Sequence, residues 1–194
     1  MGHFDRTFTT VSDGSDQLNP VAVGFSGKIG SGKSEVSCAL ASKLGWRRAS
    51  FGEHLRALAR ARGLSDSREV LQALGESLVA KDIQQFCQDV LFEANWTAGQ
   101  GVVVEGIRHV EAIAALRDIV APLRFFLVLV ETPESSRQER LFGMGVGPGA
   151  LRELELHSTE RQVSSTIPGR ADMRVDGTRK PLKLVEEIIE YLRL

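Results

Sequence analysis

An α/β fold built on a parallel sheet is what this sequence predicts, on three observations. From Val21 onward, short apolar runs alternate with longer amphipathic ones, the pattern of strands joined by crossover helices. The run from Phe125 to Val130 is apolar at every position, as a strand covered on both faces must be. The first apolar run, finally, passes through a glycine-rich loop straight into an amphipathic helix. At 194 residues the chain suits one ordinary domain whose core needs no disulfide or structural metal.

Residues 1–19 carry Asp13, Gly14, Ser15, Asp16 and Asn19 without sustained periodicity and end at Pro20, so they read as a loose leader. Residues 20–194 read as a single domain. Its first strand is Val21 to Phe25, and the helix from about Lys33 to Leu44 places Val36, Leu40 and Leu44 at helical spacing before Gly45 closes it. A short strand, Arg47 to Ser50, leads into a helical insert over about 51–98. There Leu55, Leu58 and Ala59 are followed by Val70, Leu71, Leu74, Leu78, Ile83, Phe86 and Val90. Val102 to Val104 form a third strand, Ala112 to Leu116 lie on a helix, Phe125 to Val130 form a fourth strand, and Met173 to Val175 supply a fifth. The last helix begins near Pro181 and turns Leu184, Ile188, Ile189 and Leu192 to one side.

Between the fourth and fifth strands, FGMGVGPGAL sets Gly143, Gly145, Gly147 and Gly149 around Pro148, a composition that resists regular structure. It reads either as a mobile lid over about 141–165 or as a surface loop without a catalytic part; its position after such a sheet favours the lid. No repeat or low-complexity tract marks a second core.

Composition narrows the function. Apolar residues make up 42% and charged ones 25%, which excludes disordered and fibrous classes. With 24 Lys and Arg against 25 Asp and Glu, no global positive charge draws the chain to nucleic acid or an anionic membrane. No run approaches the roughly 20 apolar residues of a bilayer span, and the polar N-terminus lacks the regions of a signal peptide, so a cytoplasmic protein is expected. Cys38 and Cys87 fall in helical segments without metal-site spacing, which predicts buried or idle thiols. His3, His54, His109 and His157 are scattered and receive no role. An apolar face used for dimerisation reads like one used for the core, so no oligomeric state is predicted.

Gly27-Lys28-Ile29-Gly30-Ser31-Gly32-Lys33-Ser34 fits GxxxxGK[ST] at every fixed position, after a strand and before a helix. Glycines let such a P-loop curl until successive backbone N–H groups point at a phosphate, and the helix offers its positive end to the same anion. Lys33 suits β- and γ-phosphate oxygens, and the Ser34 hydroxyl suits Mg²⁺. The alternative is a glycine turn that only links strand to helix; four fixed positions match by accident in roughly one chain of this length in a hundred.

Glu105-Gly106-Ile107-Arg108 stands at the end of the third strand, where an open parallel sheet places its ligand crevice. Glu105 suits a metal-bound water and Arg108 an acceptor phosphate; the alternative is a helix start with ordinary surface charges. Arg137 and Arg140 follow strand four, and Arg152, Arg161 and Arg170 lie beyond the glycines. Cations near a transferring phosphoryl group supply much of its acceleration, and Arg137 and Arg140 are preferred over the reading as solvated helix arginines. After the second strand, Phe51 and Arg56 are candidates for an acceptor's base and phosphate; Arg56 reads equally as part of a charged helix face, and for Arg60, four residues on, the charged face is preferred.

Four segments carry a family resemblance: GFSGKIGSGKS at 24–34, SFGEHLRALA at 50–59, VVVEGIRHVEAIAALR at 102–117 and ADMRVDGT at 171–178. In order and rough spacing they look like the nucleoside and nucleotide kinase branch of P-loop proteins, particularly deoxynucleoside monophosphate kinases and dephospho-CoA kinases. The resemblance spans Val21 to Leu194. It implies a three-layer fold with a five-stranded parallel sheet, a helical acceptor-binding region, a lid, and Mg²⁺-ATP as donor. Carried over by position, residues 27–34 would hold ATP phosphates, Arg108 would meet the acceptor phosphate, Arg140 would belong to the lid side, and Asp176 with Gly177 would border the adenine. Glu105 stands where such kinases usually have aspartate, and glycines follow Phe142 where related lids carry more arginine.

The expected function is therefore phosphoryl transfer from ATP to a small phosphorylated acceptor, foremost a (deoxy)nucleoside monophosphate. Transfer to dephospho-CoA or another alcohol would need a carboxylate near the acceptor hydroxyl, for which Glu53 is the nearest candidate. A regulatory protein that binds ATP without turnover is a further alternative. A nucleic-acid enzyme is disfavoured by 6% aromatics and near-zero net charge.

Overall fold

The computed structural model describes residues 20–147, 149 and 158–194, the side chains of 158–161 excepted. The expected leader, 1–19, and much of the expected lid thus lie outside the described residues. Five parallel strands form one sheet: β1 (Ala22–Ser26), β2 (Arg47–Ser50), β3 (Val102–Glu105), β4 (Phe125–Glu131) and β5 (Met173–Asp176). Their order is β2-β3-β1-β4-β5, so the strand that feeds the P-loop is central. The register pairs Phe25 and Ser50 with Glu105 and pairs Ser26 with Leu129.

The helices are α1 (Lys33–Leu44), α2 (Phe51–Ala61), α3 (Arg68–Glu93), α4 (Val110–Val120), α5 (Glu134–Gly143), α6 (Ser158–Ser165) and α7 (Pro181–Leu192). Because neighbouring strand residues point to opposite faces, the sheet feeds two cores. On one side Val21, Val23, Phe25, Val103, Val128 and Val130 meet Val36 and Leu40 of α1 and Leu184, Val185 and Ile188 of α7. On the other, Ala22, Val102, Val104, Leu127 and Leu129 meet Phe86, Val90 and Leu91 of α3 and Ala112, Ile113 and Leu116 of α4. This is the three-layer arrangement with a doubly covered sheet.

Local chemistry sets the element ends. Gly45 closes α1 in a left-handed conformation at φ 64°. Ser50 caps α2, its Oγ accepting the Glu53 N–H at 3.3 Å. A break in α3 falls at Asp82, whose extended backbone interrupts the helix while its carboxylate accepts the Gln85 N–H at 2.9 Å and starts the second segment. Two boundaries differ from expectation. β3 runs one residue past the expected Val104, through the strand-end Glu105, whose backbone still pairs with β1 and β2. Phe142 and Gly143 close α5 rather than open an irregular segment: the Met144 N–H still reaches the Arg140 carbonyl at 3.1 Å.

The two thiols behave differently. Cys38 is exposed and Cys87 is buried, and burial pushes the Cys87 pKa up to about 12. Since the thiolate is the reactive form, native protein at pH 8 should take up one equivalent of an alkylating reagent quickly, and the second only after denaturation. Two fast equivalents would show that α3 does not seal its face.

Candidate active site

The P-loop is held in shape by what happens to its carbonyl groups. Arg137, only 2% exposed, donates from its guanidinium to the Ile29 carbonyl at 2.6 Å. Arg140 donates to the Gly30 carbonyl at 3.3 Å and the Gly177 carbonyl at 2.8 Å. The Thr132 hydroxyl donates to the Ser31 carbonyl at 2.9 Å, and Lys33 Nζ donates to the Lys28 carbonyl at 3.4 Å. Four successive carbonyls, 28–31, are thus engaged by donors. Peptide geometry sets the N–H opposite its carbonyl, so fixing the carbonyls orients the N–H groups that an anion needs.

Gly27 has φ 153°, and a Cβ there would sit 2.6 Å from both Ser31 Oγ and the Val130 carbonyl. Gly32, at φ 89°, leads into α1 without a side-chain cap, which leaves the first N–H groups of that helix to a ligand. Ser31 is 1% exposed and its Oγ has no hydrogen-bond partner, an orphan of the kind a bound group satisfies.

Beside the loop, the Ser34 hydroxyl donates to Glu105 Oε1 at 2.9 Å, and the Ser50 hydroxyl donates to Oε2 at 2.8 Å. The two residues expected at the metal are therefore in contact, from chain positions 71 apart. A cavity of about 690 Å³ opens here, within the range of small-molecule sites. One end holds Ile29, Gly30, Gly32, Lys33, Ser34, Glu105 and Arg140; the other holds Phe51, Gly52, Leu55 and Arg56 of α2, Arg108, and one stripe of α3. That stripe is Arg68, Gln72, Gly75 and Val79, three or four residues apart on one face of the segment before the Asp82 break, joined after the break by Ile83 and Phe86. Phe51 and Phe86 meet edge to face, with centroids 5.1 Å apart.

Most of the sequence-predicted residues line this space; Gly27, Lys28 and Ser31 of the loop do not, nor do Arg137, Asp176 and Gly177. Arg137 lies behind the loop, paired with Glu134 at 2.6 Å, so its charge braces the loop backbone instead of facing a ligand. Asp176 ends β5 and Gly177 opens the turn after it. Two bonds from Thr178, first its backbone N–H and then its hydroxyl, hold the Asp176 carboxyl below the usual carboxylate range. Gly177 packs so closely that a Cβ would overlap the Ser31 carbonyl and the Thr132 hydroxyl. Arg170 is exposed; Arg152 and the Arg161 side chain lie outside the described residues.

Sequence reasoning missed Arg48, Arg68, Gln72, Gly75 and Thr132. For the α3 set, the signal present was an arginine, a glutamine and a glycine at helical spacing beside the apolar stripe. For Thr132 and Arg48 no signal was present, because their partners come from distant parts of the chain.

In comparison with known proteins, residues 23–154 match the AAA domain family, a span that exceeds half the chain. The chain belongs to the AAA domain family. No curated protein matches it significantly. Among solved structures, this AAA domain is similar to the APS kinase of Mycobacterium tuberculosis, determined with AMPPNP and APS. They share 23% identity over 91% of this chain and 99% of that one, with a TM-score of 0.56. A gluconokinase from Sinorhizobium meliloti 1021 is 21% identical over 90% and 93% of the respective chains, TM-score 0.59. A shikimate kinase from Aquifex aeolicus vf5 is 21% identical over 89% and 96%, TM-score 0.57. The AAA domain therefore has the P-loop kinase fold, as its doubly covered parallel sheet already indicated.

The closeness of Gly177 makes a specific demand. In Gly177→Ala the added methyl must displace the P-loop or the Thr132 side chain, an overpacking that costs about 1–3 kcal/mol. If the loop yields, nucleotide affinity should fall about tenfold or more, read by calorimetric titration with ADP. Unchanged affinity would show that the loop's shape does not depend on this contact.

Proposed function

We propose that this chain is an ATP-dependent phosphotransferase acting on a small phosphorylated acceptor, foremost a nucleoside or deoxynucleoside monophosphate. The observation that carries the reading is a continuous cavity that joins the P-loop to an arginine-ringed, partly apolar chamber. Lys33, Arg48, Arg56, Arg68, Arg108 and Arg140 line it against Glu35, Glu53 and Glu105, so it holds six cations to three carboxylates in a chain whose net charge is -1. Such local excess suits two phosphate-bearing ligands held end to end.

The N–H groups of residues 27–34 and the start of α1 hold the donor's phosphates, with Lys33 on the β and γ groups. Gly30, Ser31 and Gly32 let the backbone approach. Ser34 and Glu105 offer hard oxygen donors 2.9 Å apart. Among the described residues no cluster of three or more His, Cys, Asp or Glu forms an all-protein cage. That donor set fits Mg²⁺, which takes few protein ligands and shares its shell with phosphates and water. When bound, Mg²⁺ would neutralise phosphate charge.

At the other end, Arg56 and Arg108 hold the acceptor's phosphate, and Phe51, Phe86, Leu55 and Val79 supply the apolar surface for its base. In the transfer, an ionised acceptor oxygen bonds to the γ-phosphorus as the bond from that phosphorus to the β–γ bridging oxygen breaks and ADP leaves. Arg140 stands beside the loop, within reach of the charge on the transferred group. The glycine-rich segment after α5 serves this reading as a lid.

A second reading has its own support. Glu53 lines the cavity, where a carboxylate could take the proton of an acceptor hydroxyl, and the gluconokinase and shikimate kinase named above act as precedents for acceptors other than nucleotides. Under either reading Lys33→Ala should lower transfer by about 10³-fold, and unchanged turnover in that variant would overturn the donor-site assignment. Radiolabelled ATP with Mg²⁺ should label one member of a panel of ribo- and deoxynucleoside monophosphates. Labelling only of dephospho-CoA, APS, gluconate or shikimate would favour the hydroxyl reading, and labelling of none despite tight ATP binding would overturn both.

A further inference from the structure

The two ends of the cavity are wired together by one side chain that the roles above leave unused. Arg48, on edge strand β2, has a half-buried guanidinium, 19% exposed, that serves two carboxylates. One nitrogen pairs with Glu53 on the first turn of α2. The other reaches Glu105 Oε2 at 3.5 Å, a long contact beside the 2.8 Å bond that the same oxygen accepts from Ser50. Ser50 continues the chain, since its Oγ also caps α2 through the Glu53 N–H. Ser34, Glu105, Arg48, Ser50 and Glu53 therefore form a continuous path from the P-loop helix to the acceptor helix.

We propose that Arg48 is a positioning residue shared between Glu105 and Glu53, coupling cation occupancy at Ser34 and Glu105 to anion binding at the acceptor end. The inference rests on the phosphotransfer reading. Glu105 holds one carboxylate charge, for which Arg48 and a divalent cation compete. With that charge met by a cation, the attraction on Arg48 drops, and the guanidinium is free to serve Glu53 and an acceptor anion. In the other direction, an acceptor anion that draws Arg48 toward α2 uncovers Glu105. Linkage makes the two effects equal in free energy. Glu53 acts in the same direction as the acceptor, because it too draws Arg48 away from Glu105.

The arrangement predicts opposite signs for two substitutions. The full chain, saturated with ADP, would be titrated with Mn²⁺ and free ion followed by electron paramagnetic resonance, in wild type, Arg48→Met and Glu53→Gln. Arg48→Met removes the competitor, so Mn²⁺ should bind about fivefold more tightly. Glu53→Gln frees Arg48 to turn wholly to Glu105, so Mn²⁺ should bind about fivefold more weakly. Glu53 is 61% exposed, so its variant keeps the fold and tests the proposal even if Arg48→Met does not. Damage to the site would weaken both variants alike, and that result, or unchanged binding in Glu53→Gln, would overturn the coupling. A wild-type chain that binds ADP but no Mn²⁺ would overturn the metal assignment and this inference with it, a failure distinct from equal binding across the three proteins.

Discussion

The P-loop carbonyls set the terms for the rest of the molecule. A loop of backbone N–H groups around an anion is electrostatically strained by its own carbonyl dipoles unless these are turned away and satisfied. Here the donors are two arginines, a threonine and the loop's own lysine. Hydrogen bonds to charged donors contribute about 1.5–3 kcal/mol each, so the arginines Arg137 and Arg140 carry much of the loop's rigidity. The layers follow from that need. α5 must leave β4 at an angle that carries Arg137 and Arg140 under the loop, and the β5–α7 turn must come close enough for the Gly177 carbonyl to take the second end of Arg140.

The same logic explains why the cavity is positive although the chain is not. Arg137 is buried against Ile29 and Glu134, and Arg179, Lys183 and Arg174 pair with acids on the outer surface. The cations that line the cavity come from α1, β2, α2, α3, the β3–α4 connection and α5. No single element is strongly basic; the field arises where their ends meet at the carboxyl edge of the sheet.

How much of this was legible depends on whether the information is local. Strands β1, β3 and β4 were readable as short, largely buried apolar runs, β2 and β5, which carry arginines, only from the alternation of elements, and the nucleotide loop because its fixed positions are contiguous. Glu105 was legible as a strand-end acid, and the sheet register explains its partners: pairing Ser50 with Glu105 brings a hydroxyl beside the carboxylate. The face of α3 was half legible. Ile83 and Phe86 were read as apolar positions of a helix; Phe86 belongs to the core with Ile83 packed against it, and both also border the cavity beside Arg68, Gln72, Gly75 and Val79, because helical spacing gives a stripe but not what lies opposite it. The direction of Arg137 was illegible. A helix arginine presents the same letters whether it faces a ligand or the back of a loop 108 residues earlier. Arg48 was illegible for the same reason, since its partners are five and 57 residues away and only the folded sheet brings them together.

The order in which the chain leaves a ribosome gives those long spans a further meaning. The P-loop is made early, yet the groups that shape it, Thr132, Arg137, Arg140 and Gly177, arrive 101 to 110 residues later or more. A nascent chain that has completed β1, α1 and even β3 still holds a slack loop unable to orient its N–H groups. The nucleotide site is thus the last feature to mature, although its signature is among the first residues synthesised. Closure of such distant contacts is slow compared with local helix formation. Under the proposed function, competence to bind ATP would report that β5 has docked, and the ligand would act as an inspector of the finished sheet.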